Sequence, residues 1–208
     1  MAVFNLFKRK KMETTNMKNT IKMFPEAIDV FANRIEEHSK YLFPLFSIDL
    51  CTINPEWKGT VHMLEFNEDP YNRETISSFN EYCSDCMIGF DVIDGKYSFK
   101  SDFNYFALSK DWIKYFEETE EEYRTTKDYY IKSHKLPDYI GEPGKIYEQI
   151  GGNPEWIQGD ATPLDPDGNR MTFITRIYSS NYSISGGKDI YLFYSDKFKI
   201  AVILYQTT

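Results

Sequence analysis

The sequence predicts an α+β fold that is dominated by mainly antiparallel sheet, with one N-terminal helix and one acidic helix near the middle of the chain. Three observations support this class. Aromatic residues make up 17% of the 208 residues, and aromatic rings favour pleated, half-buried surfaces. Short apolar segments alternate with Gly, Pro, Asn and Asp turns, as in antiparallel sheets. Two longer stretches instead have helical periodicity.

The charge distribution predicts a basic, flexible arm over residues 1–19 and a single α+β domain over residues 20–208. Residues 1–22 contain six Lys or Arg side chains and one acid, although the whole chain has a net charge of −8. The acidic charge is therefore concentrated in the body of the protein. Such a body repels nucleic acid phosphates and favours basic partners.

The first helix is predicted to begin at Pro25 and to end before Pro44. Proline suits the first turn of a helix and stops a helix that has already formed. The apolar residues between these prolines recur at helical spacing: Ile28, Phe31, Ile35 and Leu42. Two strands should follow, over 46–51 and 60–66, and then a short helix over 72–83 with its apolar residues on one side.

The clearest turn in the sequence is Asp94-Gly95. This dipeptide readily takes the positive φ angles of a type I′ turn, so it predicts a hairpin between strands over 87–93 and 96–103. Ser109 is a suitable N-cap for a long helix over 110–133, in which Trp112, Phe116, Tyr123 and Tyr130 recur at helical spacing.

The last third of the chain predicts three more strands, over 171–177, 189–194 and 199–206. Only short turns separate them, and parallel pairing would need longer crossovers, so we expect antiparallel pairs. The tetrapeptide Asn-Pro-Glu-Trp occurs twice, at 54–57 and 153–156. Its flanking sequences differ, and Asn-Pro is a common turn opener, which favours coincidence over duplication.

The same C-terminal third resembles the YwqG-like family of bacterial proteins. The matching residues are Gly151-Gly152, Pro154, Trp156-Ile157-Gln158, Gly168, Met171, Phe173, the run from Ile190 to Tyr194, and Gln206. The resemblance implies a β-rich intracellular domain, and similar sequences occur among predicted immunity proteins of toxin systems. It implies no catalytic residues.

Residue chemistry predicts neither a cofactor nor a metal. Cys83 and Cys86 have Cys-x-x-Cys spacing, but no second pair is spaced to complete a zinc site, so two reduced, partly buried thiols are expected. Asp160, Asp165, Asp167 and Asn169 lack the glutamate that ends a calcium-binding loop, and they predict a turn. No nucleophile elbow, phosphate-binding loop or zinc-binding helix motif is present.

The leading hypothesis is a non-enzymatic, cytoplasmic binding protein, and specifically an immunity protein that neutralises a basic toxin. The few cysteines and the lack of a secretory signal indicate the cytoplasm, and no apolar run is long enough to span a membrane. An acidic run on the middle helix is the predicted partner-binding surface. It comprises Glu117, Glu118, Glu120, Glu121 and Glu122. A solvated helix face is the alternative interpretation.

Two other function classes remain open. A small ligand could bind in a cleft between sheets, lined by exposed side chains. The expected lining residues are Trp156, Gln158, Tyr191 and Tyr194. An unrecognised hydrolase would need a carboxylate pair or a Cys/His pair brought together from distant segments. Pocket geometry discriminates between these classes and the partner-binding hypothesis.

Overall fold

The computed structural model describes residues 20–139 and 142–207, and it confirms the α+β, sheet-dominated fold. The predicted basic arm lies outside the described residues. A three-stranded sheet has the order β1-β2-β3, and a six-stranded sheet has the order β5-β4-β9-β8-β7-β6. All pairs of neighbouring strands are antiparallel.

The strands are β1 (Ile21–Met23), β2 (Leu42–Asp49), β3 (Thr60–Phe66), β4 (Met87–Ile93), β5 (Lys96–Phe99), β6 (Gln149–Ile150), β7 (Thr172–Tyr178), β8 (Lys188–Ser195) and β9 (Ile200–Thr207). The α-helices are α1 (Ala27–Val30), α2 (Ile35–Tyr41) and α3 (Lys110–Ser133). Short 3-10 helices cover Leu50–Thr52, Arg73–Ser78, Phe103–Phe106 and Ser179–Asn181.

The prediction of one N-terminal helix that ends at Pro44 is wrong. Phe31 leaves the helical path to form a parallel bridge with Tyr97, and Arg34 takes a left-handed conformation with φ 43°. This break separates α1 from α2. Pro44 lies inside β2, where the register shifts between Pro44 and Phe46. A bulge tolerates a residue that has no N–H to donate, so this proline does not end the strand.

Two further boundaries differ from the prediction. The helix expected over 72–83 is a 3-10 helix that ends at Ser78, and Ile76 is exposed rather than buried. The hairpin at Asp94-Gly95 is confirmed, with φ angles of 50° and 77°. Its second strand stops at Phe99, because the following residues turn into the 3-10 helix that buries Tyr105 and Phe106.

The long helix α3 and the three C-terminal strands are confirmed within one residue at each end. The inner face of α3 contacts the first sheet and the N-terminal segment through aromatic rings. Tyr123 lies 5.3 Å from Phe43, and Tyr130 lies 5.4 Å from Phe24, between ring centroids. Ser109 occupies the N-cap position, but its side chain makes no capping hydrogen bond.

The core has two parts, which lie on opposite faces of the six-stranded sheet. Successive residues of β8 alternate between them: Leu192 and Tyr194 face the larger cluster, which includes the first sheet, and Tyr191 and Phe193 face the smaller one. Phe198 packs against the smaller cluster. Both faces of β8 are therefore buried, as its apolar sequence requires.

Gly186 provides a test of the packing between the turn before β8 and the 3-10 helix Ser179–Asn181. A Cβ atom at Gly186 would lie 2.5 Å from the backbone of Ser179 and Ser180, whereas nothing lies within 4 Å of one at Gly187. We expect Gly186→Ala to destabilise the fold by about 2 kcal/mol or more, and Gly187→Ala to change stability little. Urea denaturation of both variants checks this. Equal midpoints would contradict the close packing.

Candidate functional site

A pocket of about 400 Å³ lies between α3 and the ends of several strands. Asn67 and Glu68 follow β3, Lys188 begins β8, Tyr205 lies near the end of β9, and Trp112 comes from the first turn of α3. The pocket therefore draws its lining from segments that are distant in the sequence. No residue of the predicted ligand cleft lies among its lining residues.

Lys188 is a half-buried cation at the floor of the pocket. Its Nζ donates hydrogen bonds to the backbone oxygen of Phe66, at 3.1 Å, and to Oδ1 of Asn67. It also lies 4.6 Å from the centroid of the Tyr205 ring, a cation–π contact. Burial lowers the pKa of Lys188, although Glu65 and Glu68 oppose that shift. Its donors are thus directed at protein groups.

Glu68 is 6% exposed, and three donors converge on its carboxylate. The backbone N–H of Cys86 and the hydroxyl of Tyr205 donate to Oε1, and the hydroxyl of Tyr105 donates to Oε2. These bonds fix the carboxylate and offset the cost of burying it. Burial raises the pKa of both tyrosines, so they remain donors.

Glu65 is a second buried acid, on β3 beside the pocket floor. Burial raises its pKa to about 6, and the nearby charge of Lys188 opposes this rise. The sequence prediction missed Glu65, Asn67, Glu68 and Lys188 as a group. Their only signal in the sequence is that Glu65, Asn67 and Glu68 are polar residues within and directly after an apolar strand.

The two thiols of the Cys-x-x-Cys pair are unsuited to thiolate chemistry. Burial raises the pKa of both Cys83 and Cys86 to about 11, and no disulfide joins them. In residues 20–139 and 142–207, no group of three or more His, Cys, Asp or Glu side chains is arranged to hold a metal ion. Asp165 forms the predicted turn, since its Oδ1 accepts hydrogen bonds from the N–H groups of Asp167 and Asn169.

The five predicted partner-binding glutamates have different surroundings. Glu118 pairs with Lys114 at 3.5 Å, a pair that the sequence analysis overlooked, and Glu120 pairs with Arg124. Glu122 accepts two hydrogen bonds from Ser185, so it ties α3 to the turn before β8. Glu117 and Glu121 are exposed, and within the described part of the chain neither has a salt-bridge partner.

The predicted ligand cleft does not form, because its residues do not meet on one open surface. Tyr191 and Tyr194 are buried on opposite faces of β8, so the expected exposure of both is wrong. Trp156 is half-buried and stacks on Tyr191 with 4.6 Å between centroids. Gln158 donates to the backbone oxygen of Thr207. These contacts attach the loop that carries Trp156 and Gln158 to strands β8 and β9 of the six-stranded sheet.

Ser47 and His62 form a buried pair that resembles part of a hydrolase site. His62 Nε2 lies 2.8 Å from the backbone oxygen of Gly95, so it must donate there, and Nδ1 accepts the hydrogen bond from Ser47. Burial lowers the pKa of His62 to about 4. In a catalytic triad, the ring nitrogen that does not contact the serine donates to a carboxylate, but in His62 it donates to the backbone carbonyl of Gly95. The low pKa of His62 also makes it a weak base. The pair joins β2 to β3.

We found no match to this chain among protein-family models, curated proteins or solved structures. The resemblance of residues 151–206 to the YwqG-like family therefore stays a prediction. Among the described helices, none is both long and apolar enough to cross a membrane.

His62 should make the stability of the protein depend on pH. Its pKa is about 4 in the folded protein and about 6.5 in the unfolded chain, so the stabilisation is present above pH 6.5 and is lost as pH falls toward 4. At pH 5 the loss amounts to about 2 kcal/mol. We expect His62→Gln to flatten the dependence of unfolding free energy on pH, measured by urea denaturation. His134→Asn, at an exposed histidine, should keep the slope of the parent. Parallel profiles for parent and His62→Gln would contradict the assignment.

Lys188 should contribute to stability through the groups that it contacts. Lys188→Met leaves the Phe66 carbonyl without its donor and Glu65 without a compensating charge, so we expect a loss of about 3–5 kcal/mol at pH 7. Protonation of Glu65 removes its need for a compensating charge, so the loss of stability should be smaller at pH 5. The exposed Lys197→Met should cost less than about 1 kcal/mol. Similar small losses for both variants, without pH dependence, would show that Lys188 is dispensable.

Proposed function

We propose that this chain is a non-enzymatic, cytoplasmic binding protein that recognises a basic protein through the outer face of α3. The specific form of the proposal is an immunity protein that neutralises a basic toxin by direct binding. The observation that carries it is the pair of exposed carboxylates of Glu117 and Glu121, in a helix whose opposite face is attached to the core.

The surroundings of the other glutamates narrow the proposed surface. Glu117 and Glu121 are one turn apart, and mutual repulsion costs an isolated helix roughly 0.2–0.5 kcal/mol. A basic partner would relieve that repulsion and would also be steered toward the acidic body before contact. Glu122 contributes to the fold through Ser185, so it belongs to the structure more than to the partner surface.

A small ligand is the second candidate, favoured by the pocket between α3 and the strand ends. The pocket has a fixed polar floor and aromatic walls, which are common features of ligand sites. It differs from the cleft that the sequence predicts. A hydrolase has no corresponding support from the Ser47–His62 pair, whose geometry suits strand pairing.

The partner proposal can be tested by association kinetics. A protein that copurifies from the native host is identified, and its association rate is measured at two salt concentrations. We expect Glu117→Gln with Glu121→Gln to slow association several-fold at low salt and to reduce the salt dependence, because these carboxylates contribute to steering. Thermal midpoints should not fall, since the change removes a repulsion.

The matched control is Glu36→Gln with Glu56→Gln, which removes the same charge from exposed positions outside α3. This control should slow association less than the α3 variant does. Equal rates for both double variants would mean that net charge alone matters. An acidic partner, or rates and salt dependences that match the parent, would overturn the proposal.

A further inference from the structure

Three aromatic side chains form a cluster beside the pocket: Trp112 and Tyr115 line it, and Tyr71 packs against Trp112. Tyr71 is 76% exposed and Tyr115 is 54% exposed, and the ring of Trp112 lies between them. The centroid of Trp112 is 5.6 Å from that of Tyr71 and 5.2 Å from that of Tyr115. A contiguous exposed apolar patch is a common feature of interaction sites.

The cluster is held in place by a buried carboxylate. Asp69 is 2% exposed, and its two oxygens accept hydrogen bonds from the backbone N–H of Tyr71, at 3.0 Å, and of Ser109, at 2.8 Å. The loop that carries Tyr71 is thus fixed to the residue that precedes α3. A pre-organised rim lowers the entropic cost of ordering side chains when a ligand binds.

The charges around the rim favour a cation. Glu118 lines the pocket beside Tyr115, and its contact with Lys114 is long and exposed. Glu68, which also lines the pocket, adds a buried negative charge beneath the rim. Lys188 is the cation of the floor, but its ammonium is engaged by two oxygens and the Tyr205 ring, so it offers little to an anion. A cation at the rim would meet ring faces and a carboxylate.

We propose that this pocket receives an arginine side chain of the basic partner, with its guanidinium stacked on the Trp112 and Tyr115 rings and paired with Glu118. The inference rests on the proposed function, and it names the anchor point of that partner. Arginine fits better than lysine because its planar guanidinium stacks on aromatic faces and is more weakly hydrated. The acidic face of α3 continues from the pocket through Glu121.

The pocket can be tested without the partner. The protein is labelled with 5-fluorotryptophan, and its three tryptophan signals are assigned with Trp112→Phe, Trp57→Phe and Trp156→Phe. N-acetyl-arginine methylamide is then titrated at low salt, beside its citrulline and lysine counterparts. Citrulline has the shape of arginine without the charge. We expect saturable, millimolar binding of the arginine probe that shifts the Trp112 signal and leaves the other two unchanged.

The expected selectivity makes the proposal falsifiable. Citrulline should bind at least about tenfold more weakly than arginine, and lysine several-fold more weakly. Glu118→Gln should weaken arginine binding several-fold, whereas Glu36→Gln should not. Equal binding of citrulline would identify a site for neutral ligands and overturn the proposal. Equal binding of lysine, or no shift of the Trp112 signal, would also overturn it.

The two proposals fail separately. If arginine binds as expected but the α3 double variant associates with its partner like the parent, the proposed function fails and the pocket stands. If the α3 variant is slow but the arginine probe leaves Trp112 unchanged, the partner surface stands and the pocket fails. Where both hold, Glu118→Gln should speed dissociation of the partner complex as well, since loss of an anchor acts mainly on the dissociation rate.

Discussion

The free edge of β3 is the constraint on which much of this structure depends. Its other edge pairs with β2, so alternate backbone groups of β3 point away from the sheet and need partners. The Tyr97 hydroxyl accepts a hydrogen bond from the N–H of His62 and donates one to its carbonyl. Further along the same edge, the ammonium of Lys188 reaches the carbonyl of Phe66. Two side chains from the six-stranded sheet thus take the place of another strand.

This solution also explains why a polar pocket exists at one end of the molecule. An ammonium that caps a buried strand end must itself be compensated, and Asn67, Glu65 and the Tyr205 ring supply that compensation. Asn67 is in turn fixed by a hydrogen bond to Thr119 of α3. Lys188 and Asn67, which close the Phe66 end of this edge, therefore also line the pocket, together with Tyr205. Because these floor residues are committed to the fold, the ligand contacts that we propose lie at the rim.

The sequence predicted those elements whose signals are local. Asp94-Gly95 determines a hairpin by its own backbone preference, and the inner residues of α3, from Phe116 to Tyr130, recur at helical spacing over about four turns. The N-terminal helix was mispredicted because Tyr97, distant in sequence, pairs with Phe31 and interrupts the periodicity. The ligand cleft was mispredicted because residues three apart on a strand, such as Tyr191 and Tyr194, face opposite sides. The pocket could not be predicted, since its residues come together only through the packing of two sheets and a helix.

The two faces of α3 make different contacts. Phe116, Thr119, Tyr123, Thr126 and Tyr130 succeed one another at intervals of three or four residues, and they make the contacts that attach the helix. The attachment includes hydrogen bonds to backbone carbonyls, among them the 2.7 Å bond from Thr126 to the oxygen of Tyr182. Glu117 and Glu121 take no part in it. Their repulsion only weakens the helix, so the fold does not require them, and they can be changed without disturbing the face that holds α3 in place. That independence separates an effect on binding from an effect on folding.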